Sequence, residues 1–134
     1  MGRQIDMPVA KTPSRAFDIV VPILIVGSGA AGMVAALAAK DAGGEVLVIE
    51  ADSTPSGSTA LSAGLIPAAG TFLQRAAGID DSPSQFATDI QNKAKGENPQ
   101  SLVTLLTSMA APTLDWLCER YDLPFSVVTD FDYP

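Results

Sequence analysis

Gly27, Gly29 and Gly32 follow the spacing Gly-x-Gly-x-x-Gly, and Glu50 stands eighteen residues after the last of them. These residue types divide the work of holding a dinucleotide. Gly27 permits a tight turn, Gly29 lets backbone amides approach a pyrophosphate, and Gly32 allows a helix to pack closely on a strand. Ser28, Ala30 and Ala31 complete the turn. A helix starting near Ala30 would aim its exposed N–H groups and positive dipole end at the phosphates. Glu50 can accept hydrogen bonds from both hydroxyls of an adenosine ribose, with Ala51 beside it, and its charge would repel a 2′-phosphate. NADP is therefore the least suitable dinucleotide.

Three elements must position these residues. The apolar run Ile19–Val26 reads as a strand whose hydrogen-bonded part begins at Ile23, because Pro22 has no N–H to give to a ladder. Met33, Val34, Leu37 and Ala38 recur at helical spacing, and Asp41-Ala42-Gly43-Gly44 closes that helix, predicted over 30–42. Glu45–Glu50 reads as a second strand ending on the acid. Strand, turn, helix and strand form the βαβ opening of an α/β fold, a Rossmann-like, doubly wound parallel sheet.

Val20–Ala39 contains no charged residue, and on hydropathy alone it would suit a membrane-crossing helix. A secretory leader built on Arg3, Lys11 and Arg15 is a related reading. Pro22 and the three glycines oppose a continuous helix, and the β-branched residues before the turn favour a strand. We therefore expect no membrane span. A net charge of −7 with no basic cluster argues against nucleic acid or an anionic membrane as a partner. The chain has no histidine and one cysteine, Cys118, so it offers no zinc site, no Ser-His-Asp triad and no intramolecular disulfide. The lone thiol suits a reducing, cytoplasmic setting.

After the acid comes a segment rich in glycine and hydroxyls, Ala51 to Ile66. It reads either as a second ligand-facing stretch or as a solvated loop of small residues. In the first reading Gly57, Ser58 and Thr59 donate to phosphate oxygens, and Ala63 and Gly64 are small enough for a planar ring to lie against the backbone.

The string from Ile23 to Ile66 resembles the N-terminal part of the fumarate reductase and succinate dehydrogenase flavoprotein family, which includes 3-ketosteroid dehydrogenases. The resemblance rests on Gly27 to Gly32, Glu50, Ser56-Gly57-Ser58-Thr59 and Ser62-Ala63-Gly64-Leu65. It implies that Gly27 to Gly32 and Glu50 hold the ADP half of FAD. Gly57 to Thr59 would then take the pyrophosphate and flavin-proximal region, and Ala63, Gly64 and Leu65 the isoalloxazine. Asp81 to Phe86, Asn98 to Val103 and Leu114-Asp115-Trp116-Leu117 continue the similarity more loosely.

Three departures stand out. Ser56-Gly57 and Gly64-Leu65 occur where the family often has two adjacent glycines. No histidine is available for the covalent flavin link of the membrane-bound members, so FAD would be held non-covalently. By the same resemblance the rest of the sheet, a capping domain and the catalytic Arg and His residues lie beyond Pro134. No residue of this chain is then catalytic, and the small-molecule substrate belongs to the full-length relative. Residues 18–134 read as an incomplete FAD-binding domain, preceded by a flexible tail at 1–17. Such a truncated sheet is expected to melt with poor cooperativity.

Local signals place further helices. Asp81 or Ser82 can cap one with Pro83 in its first turn, and Asn98 can cap another with Pro99 at its first position. Pro112 is expected to break or kink that run into helices over 99–110 and 112–121. Trp116, Leu105, Leu106, Met109, Leu117 and Cys118 read as core packing, and Asp130 to Tyr133 as a frayed end. Two functions from different classes fit: an FAD-dependent oxidoreductase acting on a C=C or CH–CH bond, and a non-catalytic module binding ADP or NAD with the same turn.

Overall fold

The structure, a computed structural model, describes residues 17–129; all of the predicted tail except Phe17, and the segment 130–134, lie outside the described residues. The chain divides into two compact units, residues 1–64 and 65–134.

In the first unit β1 (Ile23–Val26) runs into α1 (Ala30–Asp41) and on to β2 (Val46–Ile49). The strands pair in parallel, Ile23 opposite Val46 and Val26 opposite Ile49. The ladder begins directly after Pro22, as its missing N–H requires. Beyond the last pair the Gly27 N–H donates to the Ile49 carbonyl at 2.8 Å, so the turn starts as an extension of the sheet. Side chains alternate along β1: Ile23 and Ile25 are half-buried, while Leu24 and Val26 are 55% and 78% exposed. The Ile25 side chain faces the position of Gly32 in α1, so the helix covers that face of the sheet. The α1 helix ends with Gly43 at φ +82° and its N–H on the Lys40 carbonyl. Lys40 in the last turn suits the negative end of the helix dipole.

A short helix, α2 (Ser58–Leu61), lies inside the stretch expected to be ligand-facing loop. It ends the first unit's regular structure.

The second unit is helical. Thr71 opens α3 (Phe72–Ala76) with a capping box: its hydroxyl accepts from the Gln74 N–H at 3.1 Å, and the Gln74 side chain accepts from the Thr71 N–H at 3.0 Å. Ser82 caps α4 (Pro83–Lys93), accepting from the Gln85 N–H at 3.2 Å with Pro83 in the first turn, as predicted.

The longest element, α5 (Gln100–Tyr121), corrects two expectations. Asn98 is not its cap; Pro99 holds that position without a side-chain hydrogen bond. Nor does Pro112 divide it. An interior proline costs about 3 kcal/mol, but Val103, Thr107, Ala111, Leu114 and Leu117 form a buried stripe at helical spacing that runs past it, while Pro112 stays exposed on the far side. Burial along one face outweighs a lost hydrogen bond on the other. The stripe also corrects the predicted core, because Leu105, Leu106 and Met109 are exposed.

Asp115 joins α5 to α3. Its carboxylate accepts from the Phe72 N–H at 3.1 Å, at the start of α3, and lies 3.7 Å from the Arg75 guanidinium. Trp116 packs edge-on against Tyr121, with ring centroids 5.3 Å apart.

Candidate functional site

Parallel pairing places the ends of β1 and β2 side by side, so the glycine turn and Glu50 emerge at the same edge of the sheet. Twenty-two positions of chain close into direct contact there. Oε2 of Glu50 accepts from both the N–H and the hydroxyl of Ser28, at 2.8 and 2.6 Å. Oε1 accepts from the N–H groups of Ala51 and Asp52 at 2.7 and 3.3 Å. The carboxyl therefore titrates at about 2, well below its ordinary 4.5. The Ser28 hydroxyl is the largest cause, followed by the backbone amides of Ser28, Ala51 and Asp52. Donors aimed at an oxygen favour its charged form.

The three glycines have separable reasons to be glycine. Gly27 sits at φ +99°, which L side chains rarely adopt. A Cβ on Gly32 would lie 2.0 Å from the Gly27 carbonyl oxygen, so the crossing of helix and turn depends on its absence. Gly29 is different. Its backbone is extended (φ −66°, ψ 175°), open to any residue, and a Cβ there would meet only the Thr59 Oγ1 at an ordinary 3.7 Å. The fold does not require a glycine at this position.

Gly29 is the N-cap of α1 and offers no side-chain cap. Intrahelical bonding starts with the Met33 N–H on the Gly29 carbonyl, which leaves the N–H groups of Ala30, Ala31 and Gly32 without intrahelical acceptors. Thr59 reaches one of them, its Oγ1 accepting from the Ala30 N–H at 3.2 Å. Gly57, at φ 97° and ψ −170° in a region only glycine occupies comfortably, turns the chain into α2 so that Thr59 can do so.

The structure thus gathers Gly27, Ser28, Gly29, Ala30, Ala31, Gly32, Glu50, Ala51, Gly57 and Thr59 about one edge of one sheet. Ser58 opens α2, exposed. Ala63, Gly64 and Leu65 are also exposed; none of them has a described hydrogen bond to the turn, and Leu65 opens the second unit. Sequence reasoning missed the Ser28 side chain as a partner of Glu50, for which a hydroxyl at the second position of the turn was the available signal. A cavity of about 540 Å³ between α4 and α5, lined by Ser84, Thr88, Gln91, Thr104 and Thr107 among others, belongs to the second unit and shares none of these residues. Among the described residues no helix is long and apolar enough to cross a membrane, and no cluster of His, Cys, Asp or Glu could hold a metal.

The amides and the carboxylate have the chemistry that suits a dinucleotide. Amides without intrahelical acceptors at a helix start suit a pyrophosphate, an ionised carboxylate beside them suits a ribose diol, and the side-chain-free Gly29 leaves room between. Comparison with known proteins agrees. The FAD binding domain family matches residues 22–131. A cytochrome-type fumarate reductase of Shewanella frigidimarina is 37% identical over 97 residues, covering 72% of this chain and 17% of that protein. The open conformation of a flavocytochrome c3 fumarate reductase superposes with a TM-score of 0.67 at 35% identity, over 74% of this chain and 18% of that one. A 3-ketosteroid-Δ4-(5α)-dehydrogenase from Rhodococcus jostii RHA1 gives a TM-score of 0.68 at 32% identity, over 79% and 22%. The chain spans about a fifth of the length of the relatives it matches. It belongs to the FAD-binding-domain family that includes fumarate reductases and 3-ketosteroid dehydrogenases, and FAD is its cofactor.

Proposed function

We propose that this chain holds the adenylate half of FAD in a flavin-dependent oxidoreductase of the fumarate reductase type, one that saturates or desaturates a C=C/CH–CH bond of a small-molecule substrate. The observation that carries the reading is the convergence of Gly29, the α1 amides and the ionised Glu50 at one edge of the parallel sheet. The amides following Gly29 bind the pyrophosphate, Glu50 accepts from the ribose, and Ala51 fixes the Glu50 carboxylate through its N–H. Gly57, Ser58 and Thr59 close over the phosphates, and Ala63, Gly64 and Leu65 present a small, flat backbone surface to the isoalloxazine. Bound FAD would supply the two-electron chemistry. No residue of this chain is assigned to proton transfer, and its own residues bind and orient. The absence of histidine makes the attachment non-covalent with respect to that residue type.

A cytoplasmic setting rests on Cys118 alone, which has no second cysteine to pair with. Cell fractionation checks it, and recovery in an oxidising compartment overturns it.

Competition among nucleotides tests the main reading. FAD is expected to bind and show flavin absorbance that stays with the protein through gel filtration, with ADP competing and NADP not. A colourless protein that takes ADP or NAD and rejects FAD would favour a nucleotide-binding module without flavin.

A further inference from the structure

Glu50 is fully occupied by its own chain. A carboxylate offers about four lone-pair positions, and Oε2 and Oε1 each accept two of the four internal donors described above. A ribose diol arriving at this group finds no free acceptor position. Three of the donors are backbone N–H groups, fixed by the turn after β1 and by the end of β2. The fourth, the Ser28 hydroxyl, moves by rotation about one side-chain bond. We infer that this hydroxyl is a built-in stand-in for one ribose hydroxyl: it keeps Oε2 of Glu50 satisfied and aimed at the turn, and the diol of the incoming nucleotide displaces it. The inference rests on the proposed assignment of Glu50 to the ribose.

The arrangement has two consequences of opposite sign. Ser28 preorganises the acid, which stays ionised because its charge is already met by donors. It also competes with the diol for the same oxygen. Thr59 is a second internal partner of this kind, its hydroxyl holding the Ala30 N–H at the helix start. Charged neighbours do not account for the state of Glu50. Asp52 is the nearest ionisable group in sequence, and its carboxylate accepts from the Ser56 hydroxyl. Asp18, Lys40, Asp41 and Glu45 stand at the opposite ends of β1, α1 and β2.

Two measurements on the full chain test this. The first is the ratio of the dissociation constants of 2′,3′-dideoxy-ADP and ADP, which reads how strongly the site rewards the diol. Ser28→Ala removes the competitor, so the ratio is expected to rise about three- to tenfold, the worth of one hydrogen bond. Ser28→Thr, which keeps a hydroxyl, is expected to restore the original ratio. An unchanged or smaller ratio in Ser28→Ala overturns the stand-in. The second is the titration of the Glu50 carboxyl in the ligand-free chain, followed by side-chain carbon NMR. Ser28→Ala is expected to raise its midpoint, and an unmoved midpoint overturns the clasp itself. A Glu50 midpoint that rises in Ser28→Ala, together with a wild-type chain that binds neither ADP nor FAD, overturns the ribose assignment and the stand-in together, a pattern separable from failure of the ratio alone.

Discussion

The two units of this chain divide their properties unevenly. Every buried residue among those described lies in residues 65–134: Ala69, Thr71, Val103, Thr107, Ala111, Leu114 and Leu117. The described part of the first unit, residues 17–64, has none, yet it contains the glycine turn, Glu50 and Thr59. Its order is written in hydrogen bonds and close backbone approach, in a two-stranded sheet whose Leu24 and Val26 side chains are exposed. The second unit is ordered by a buried, largely apolar stripe. Where binding is the task, backbone groups must remain reachable, and a segment that keeps its amides available at a helix start forgoes some of the burial that stabilises a core.

The contrast can be broken at several points. The largest effect is expected from Leu114→Ala or Leu117→Ala, which should destabilise the second unit by about 2–5 kcal/mol as buried leucines; thermal melting followed by helical circular dichroism reads it, and a loss below 1 kcal/mol would show that the stripe does not organise the unit. Next is Gly32→Ala, whose Cβ cannot fit 2.0 Å from the Gly27 oxygen. It should destabilise the first unit by about 1–3 kcal/mol through overpacking, visible as faster amide exchange in β1 and α1, and unchanged exchange would contradict it.

Glu50→Gln sharpens the comparison through pH. With its folded pKa held at about 2 against an ordinary 4.5, the carboxylate contributes stability that is fully present above about pH 4.5 and lost as the pH falls towards 2, since the unfolded chain binds the proton first. The variant should lack that acid-side decline in amide protection of the turn; a variant that retains it would place its origin elsewhere. The smallest effect belongs to Leu24→Ser on the bare face, expected to change stability by less than about 0.5 kcal/mol. A larger loss would show that this face is covered.

Much of the first unit is legible in the sequence because its signals are local. Pro22 marks where the ladder can begin, the glycine spacing sets the turn, and Gly43-Gly44 ends the helix. Glu50 closes the second strand for the same reason, its position following from the length of one crossover. Local rules fail where distant packing decides. Pro112 looks like a break until the stripe from Val103 to Leu117 is seen to pass on its opposite side. Leu105, Leu106 and Met109 look like core in a list of apolar residues, but their helical phase turns them outward. Asp115 meeting the start of α3, and Thr59 meeting the start of α1, span 43 and 29 positions that no local pattern connects. The clasp of Ser28 on Glu50 is intermediate: the residues were in view, and only the parallel register brings them within 2.6 Å.

The central claim is that the turn at Gly29 receives the pyrophosphate of FAD. Equilibrium binding of FAD to the wild-type chain and to Gly29→Ala tests it directly, with amide exchange of β1 and α1 recorded on both. Because the fold leaves room for that Cβ and the phosphate would not, the account predicts unchanged exchange and at least about a tenfold loss of FAD affinity, the equivalent of one charged hydrogen bond. Equal affinity in the two proteins, with the fold intact, would contradict it.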